Sequence, residues 1–212
     1  MRTLQLFIKR GFDILVSAIA VIILLPFWLI IVIIMKITMP GPVFFRQERI
    51  GRNFVAFDVL KFRSMTVDTN AEKNFDVKKD VQRTTSFGKL LRRSKLDETP
   101  QMLNILKGDM SIVGPRPTVR KIIEQYPERQ EIRLSMRPGL TGISQVSGNV
   151  LLSWPRRIEY DCMYVKEFSI WKDIVIIFKT VLVVLIGEEK FISEADLKNH
   201  RNPNYDLSHK KK

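Results

Sequence analysis

The chain has 212 residues, 45% of them hydrophobic, with one cysteine, two histidines and a formal charge of +13. That hydrophobic content excludes wholesale disorder, and a lone Cys162 excludes a disulfide framework or a Cys-rich zinc site. His200 and His209 lie near the C-terminus, so acid–base or nucleophilic work elsewhere falls to other groups, and the charge calls for an anionic partner: nucleic acid, a membrane surface or a phosphorylated substrate.

The run from Ile14 to Met35 carries no charge. As a helix it would be roughly 33 Å long, enough to cross a bilayer core. It is too long for a signal-peptide core, and no cleavage site follows it. Arg2, Lys9 and Arg10 precede it; Lys36, Arg46, Arg49 and Arg52 follow it. Both flanks are therefore of the cytoplasmic kind. Pro26 removes a backbone donor near the middle and favours a bend. These features fit either a helix that enters one leaflet and returns or an ordinary span.

Pro40-Gly41-Pro42 then breaks the chain. Val43 to Arg49 and Phe54 to Phe62 are rich in aromatic and β-branched residues and predict a hairpin turning at Ile50 to Asn53. Asp68 to Arg83 reads as a solvated helix or loop, and Ser86 to Arg93 as a short basic helix. Thr99 and Pro100 are the expected N-cap and first residue of another helix, ending at Lys107-Gly108. Thr118 to Leu134 predicts a helix interrupted by Pro127, and Arg137 to Asn149 a Gly-punctuated loop. A helix opens at Ser153-Trp154-Pro155 and runs to about Val165. Ile174 to Ile186 is too short to span and suits either a core helix or one lying at a membrane interface. Residues from Glu188 on are polar and predict a basic, disordered tail.

The common phosphate-loop, dinucleotide and serine-nucleophile signatures are absent. Cys162 reads as a small core residue. What remains is carboxylates among cations. Asp97 and Glu98 stand at a predicted helix start, just after Lys89, Arg92, Arg93 and Lys95. Such a position keeps a carboxylate ionised and can hold a phosphate. Adjacent residues do not face each other on a helix, so separate roles fit: one attacks, the other holds a metal or guides a proton. The plain alternative is that both cap the helix and pair with Arg92, Arg93 or Lys95. Two further stretches place an arginine beside a rigid turn: "GPRP" around Arg116 and "RPGLTG" at Arg137 to Gly142.

"LKFRSM", "SKLDETPQMLNILKGDMSIVGPRP", "MRPGLTGISQVSG" and "YDCMYV" stand in the order found in bacterial sugar transferases, the monotopic polyprenyl-phosphate phosphoglycosyl transferases. The chain resembles that family from Lys9 to about Gly187. The resemblance implies an α+β, mainly α fold. Residues 1–38 form a re-entrant membrane helix broken at Pro26. Residues 39–187 form a compact catalytic domain with a small β-hairpin at the membrane interface, and 188–212 are the tail. Some members carry serine before that proline; here it is Leu25. The resemblance also implies transfer of a phospho-sugar from a UDP-sugar to undecaprenyl phosphate with Mg²⁺ and release of UMP, at the cytoplasmic face of a bacterial inner membrane. By position, Asp97 is the nucleophile, Glu98 a Mg²⁺ ligand (with Asp97 beside it) and Arg116 a phosphate contact. Lys61, Arg137 and Asp161 fall on other motif positions of the phosphate and nucleotide site. The chain matches the short form, without the spanning helices that larger relatives add. Anionic lipid is an expected partner and nucleic acid is not; the oligomeric state stays open, a homodimer included. A membrane-anchored binding protein that leaves both carboxylates idle, and a phosphohydrolase that passes the sugar phosphate to water, are the competing readings.

Overall fold

The computed structural model describes residues 2–66 and 84–196. The mixed-charge stretch 68–83 and the end of the tail lie outside them. The apolar run extends into one long helix, α1 (Arg2–Thr38), with Pro26 inside it. Its most apolar window has a mean hydropathy of 3.2 and is only 17% buried. Ile22, Ile23, Leu25, Phe27 and Leu29 are all exposed. An apolar surface of this extent is stable only against lipid or another apolar partner.

Both ends of α1 are tied to the same body. At the N-terminal end, Lys9 pairs with Asp173 at 2.6 Å, and Asp13 accepts from the Ser111 hydroxyl at 2.7 Å and the Ile112 amide at 3.0 Å. At the C-terminal end, Trp28, Ile31, Met35 and Met39 pack with Phe62 and Leu91 in a core of their own. The Trp28 indole N–H donates to the Thr99 hydroxyl at 2.9 Å.

The hairpin forms as its alternation predicts. β1 (Phe44–Ile50) and β2 (Ala56–Phe62) pair antiparallel, with Phe44 opposite Phe62 and Ile50 opposite Ala56. The turn between them carries Asn53 and Phe54 at positive φ. The basic helix α2 spans Ser86–Arg93, with Thr85 as its N-cap. A 3-10 turn, Leu96–Glu98, then leads into α3 (Gln101–Lys107), which ends on Gly108 at φ 103°.

The expected Thr99 cap does not form. Thr99 and Pro100 already have helical φ and ψ, so Pro100 takes the N-cap position. The Met102 and Leu103 amides are satisfied by the Thr99 and Pro100 carbonyls. The Thr99 hydroxyl donates to the Leu96 carbonyl instead.

β3 (Ser111–Val113) pairs in parallel with β4 (Gly139–Thr141), a strand inside the stretch expected to be loop. Between them, α4 (Arg120–Gln125) and α5 (Gln130–Arg133) flank Pro127 as expected. α6 (Trp154–Lys166) and α7 (Ile170–Ile186) complete the domain. The main core joins Val59, Ile105, Met110, Val113, Tyr164 and Ile176. α7 turns Asp173 and Ile176 inward and leaves Trp171, Phe178 and Leu185 exposed. Residues 188–196 are ordered against the body, unlike the tail expected there. Asp196 is 5% exposed and accepts from Arg156 at 2.8 Å, Tyr160 at 2.9 Å and Ser193 at 2.7 Å.

Candidate active site

Asp97 and Glu98 sit on the 3-10 turn that follows Lys95, whose φ is 57°. Asp97 is 8% exposed, and its Oδ1 has no hydrogen-bond partner among the described residues. Burial, and then the adjacent Glu98 charge, push its carboxyl above the ordinary aspartate range; Lys61, Arg92 and Lys95 oppose this. Glu98 moves the other way. Desolvation alone would raise its pKa, but Lys61, Arg116 and Lys95 outweigh that and hold it below the ordinary range. The two adjacent carboxylates are therefore set apart: one poised and unpartnered, the other firmly ionised.

The sheet edge sets this geometry. Asn104 on α3 accepts from the Leu60 amide at 3.0 Å and donates to the Asp58 carbonyl at 2.7 Å. These bonds dock β2 on α3 and bring the Lys61 ammonium to 2.5 Å from Glu98 Oε1. Ile50 N–H donates to the Thr118 carbonyl at 2.9 Å, which brings the end of β1 beside the GPRP turn. Arg49 is thereby drawn in. Burial, and then repulsion from Arg116, lower its pKa to about 10, while Glu98 works against the fall. The sequence marks Arg49 only as one of the cations that follow the apolar run and not as a site residue, because a cation on a strand reads as an ordinary edge charge.

Arg116 is held at both backbone and side chain. Its N–H donates to Asp161 Oδ2 at 3.0 Å, and its Nη1 to Asn149 Oδ1 at 2.7 Å. Asn149, at φ 45°, is fixed in turn by Glu188 at 2.7 Å. Asp161 is itself fully buried. It accepts from Arg133 Nε at 2.9 Å, the Ser144 hydroxyl at 2.8 Å and the Arg116 amide. Burial pushes its carboxyl up, and those three donors oppose the push. At 0% exposed and with both carboxylate oxygens bonded, it positions the Arg116 turn. Arg133 completes that scaffold, donating also to the Thr118 hydroxyl at 2.9 Å and to the Arg116 carbonyl.

Arg137 lies elsewhere. Its Nε donates to the Gly108 carbonyl at 2.8 Å, at the opposite end of α3 from Glu98. The structure thus groups Asp97, Glu98, Lys61, Arg49 and Arg116, supports them with Asp161, and separates Arg137. Cys162 is buried in the core, its thiol pKa raised by burial, as its sequence context suggests.

The Gly-rich motif serves backbone contact. A Cβ on Gly142 would lie 2.1 Å from the Gly114 carbonyl oxygen, and one on Gly139 would lie 2.1 Å from the Gly114 amide nitrogen. Backbone cannot yield as a flexible side chain would. Gly142→Ala is expected to cost about 1–3 kcal/mol. Urea unfolding should show it as a lower midpoint with an unchanged slope.

Two carboxylates, one with an unpartnered buried oxygen, can hold a hard cation together with water and substrate phosphates. Among the described residues no cluster of three acidic, histidine or cysteine ligands exists, so most of such a cation's shell would come from those other sources.

The family description of bacterial sugar transferases matches residues 4–187. Among curated relatives, the exopolysaccharide production protein ExoY of Rhizobium meliloti is 37% identical over 198 residues, covering 86% of this chain and 88% of its own length. The UDP-glucose:undecaprenyl-phosphate glucose-1-phosphate transferase of Klebsiella pneumoniae is 41% identical over 191 residues, 86% of this chain and 41% of its own. The undecaprenyl-phosphate galactose phosphotransferase of Salmonella typhimurium is 40% identical over 196 residues, 84% of this chain and 40% of its own. The chain thus spans less than half the length of the last two. With a match that runs through α1, the carboxylate turn and the GPRP loop, the chain belongs to the bacterial sugar transferase family.

Proposed function

We propose that this protein transfers a phospho-sugar from a UDP-sugar to undecaprenyl phosphate, and so begins assembly of a bacterial surface polysaccharide or glycoconjugate. The observation that carries the reading is the buried Asp97 carboxylate with an unpartnered oxygen, beside cations that face Glu98. The names of the Klebsiella and Salmonella relatives support the substrate class.

In the first half, an Asp97 oxygen attacks the sugar-bearing phosphorus. The anhydride bond to the other phosphorus breaks, and UMP leaves with the bridging oxygen. In the second half, a phosphate oxygen of the lipid attacks the same phosphorus and releases the Asp97 carboxylate. One anhydride is exchanged for another, so no external energy source is needed. Arg116, oriented by Asn149, and Arg49 offer planar donors to phosphate oxygens. Lys61 holds Glu98 in place. Glu98 and Asp97 would hold Mg²⁺, which when bound supplies charge neutralisation at the phosphoryl oxygens.

The test is to supply Mg²⁺ and a panel of UDP-sugars without lipid. UMP release equal to enzyme, with a phospho-sugar on the Asp97 peptide, is the expected result. Release only when polyprenyl phosphate is present, with no adduct, would favour direct transfer. Arg116→Lys keeps the charge but loses the fork, so turnover should fall roughly tenfold or more.

The same reading places both ends of α1 on the cytoplasmic side. Two features support it: both ends carry cations, and both ends dock on one body. Thr3→Cys and Thr38→Cys, each in a Cys162→Ser background, should resist an impermeant thiol reagent in intact cells. External labelling of Thr3→Cys would show a true span.

A further inference from the structure

A pocket opens where the start of α1 meets the β1–β2 turn, the first residue of β3 and the segment just before β4. Its walls include Leu6, Arg10, Asp13, Arg52, Met136 and Arg137. It has about 50 Å³ of room, enough for a group of phosphate size. Three guanidinium groups from distant parts of the chain meet there. Among the described residues, none of Arg10, Arg52 and Arg137 has a carboxylate ion-pair partner. Asp13 and Lys9 also line the pocket: Asp13 accepts from Ser111 and Ile112 and offsets part of the charge felt by Arg137, and Lys9 is paired with Asp173.

Part of this cationic cluster has a plain structural use. Arg10 donates to the Ile105 and Leu106 carbonyls at 2.7 and 3.1 Å, and Arg137 donates to Gly108. Together they satisfy the last carbonyls of α3. That use leaves the terminal nitrogens of Arg137 without a hydrogen bond among the described residues, and it gives Arg52 nothing to do. Burial first, then repulsion from Arg10 and Arg52, push the Arg137 guanidinium below its ordinary range, while Asp13 opposes the fall. An anion between them would relieve that repulsion.

The surroundings favour one source of anion. Leu4, Phe7, Ile8 and Phe12, on the same stretch of α1, are exposed apolar residues. A ligand with a phosphate in the pocket could lay hydrocarbon along them. We infer that this pocket binds the phosphate of an anionic phospholipid, at a site separate from Asp97, with Arg10, Arg52 and Arg137 as its donors. Guanidinium forks match phosphate oxygens two at a time. The inference does not depend on the proposed transfer reaction.

The experiment uses the full chain in detergent and reads thermal stability, since a ligand of the folded state raises the melting temperature. The probes are short-chain phosphatidylglycerol below its micelle concentration, and inorganic phosphate. Phosphatidylglycerol should raise the melting temperature saturably. In Arg52→Gln, whose side chain has no hydrogen bond or ion pair among the described residues, and in Arg137→Gln, the half-saturating concentration should rise roughly tenfold or more. Arg116→Gln should leave it unchanged. Equal response in wild type and both pocket variants overturns the site, as does loss of the response in Arg116→Gln alone. If inorganic phosphate gives the full effect and phosphatidylglycerol adds nothing, the lipid assignment is overturned in favour of a free-phosphate site.

Discussion

Asp97→Asn is expected to abolish turnover and, in the same protein, to raise the melting temperature. The loss follows if Asp97 attacks phosphorus, because the amide has neither the charge nor the free lone-pair strength of a carboxylate. The covalent phospho-sugar should vanish with it. The gain follows from the site. Asp97 is buried with one oxygen unpartnered, and its pKa is raised, chiefly by that burial. An acid whose pKa is higher folded than unfolded binds its proton more tightly in the folded state. Stability therefore falls as pH rises through the unfolded and then the folded pKa, and the penalty is complete above both. At neutral pH wild type carries that penalty and the amide does not. The difference in melting temperature should shrink as pH is lowered and Asp97 takes up its proton. A stabilised, inactive variant is the usual mark of a strained functional group. An Asp97→Asn protein less stable than wild type at neutral pH would mean that the ionised carboxylate is held favourably, and the proposed poise would be wrong.

The second large effect is expected at Asp161. Asp161→Asn leaves Arg133 charged in a place where each partner's side chain is 1% exposed. Breaking such a pair from one side costs about 3–5 kcal/mol. That is a large part of the 5–15 kcal/mol typical of a folded domain. Activity should fall as well, because the Arg116 amide loses its anchor. If Asp161 instead contacted substrate directly, activity would fall while denaturant unfolding stayed at the wild-type midpoint. A double variant, Asp161→Leu with Arg133→Met, separates the roles. Stability should return in part, while turnover should not, since the Arg116 turn still lacks its acceptor.

The parts of this fold visible in the sequence are those with a period or a long uniform run. The charge-free stretch from Ile14 gave α1, the aromatic alternation around Gly51 gave the hairpin, and Gly108 marked the end of α3. β3 and β4 have only three residues each, too few to show a period, and their parallel pairing joins segments far apart in the chain. Arg133 sits in "RQEIRL", which reads as an exposed helix turn; only the fold buries it against Asp161. Arg49 becomes part of the site because the Ile50–Thr118 bridge puts it there. The motif that contains Arg137 was legible, but a motif does not say which end of a helix its arginine will reach.

The Lys9–Asp173 pair has a consequence for how the chain is made. Its two members are separated by 164 positions. A ribosome adding about 5–20 residues per second needs roughly 8–33 s to cover that distance. Throughout that interval Lys9, which emerges before Asp173, has no partner to meet. An apolar helix would already be in lipid by then, with its lysine left at the headgroup level, where long cationic side chains settle. Seating of α1 on the body is therefore a late event of biogenesis. Truncated nascent chains that stop before Asp173 should insert into membranes while remaining open to protease between the helix and the body.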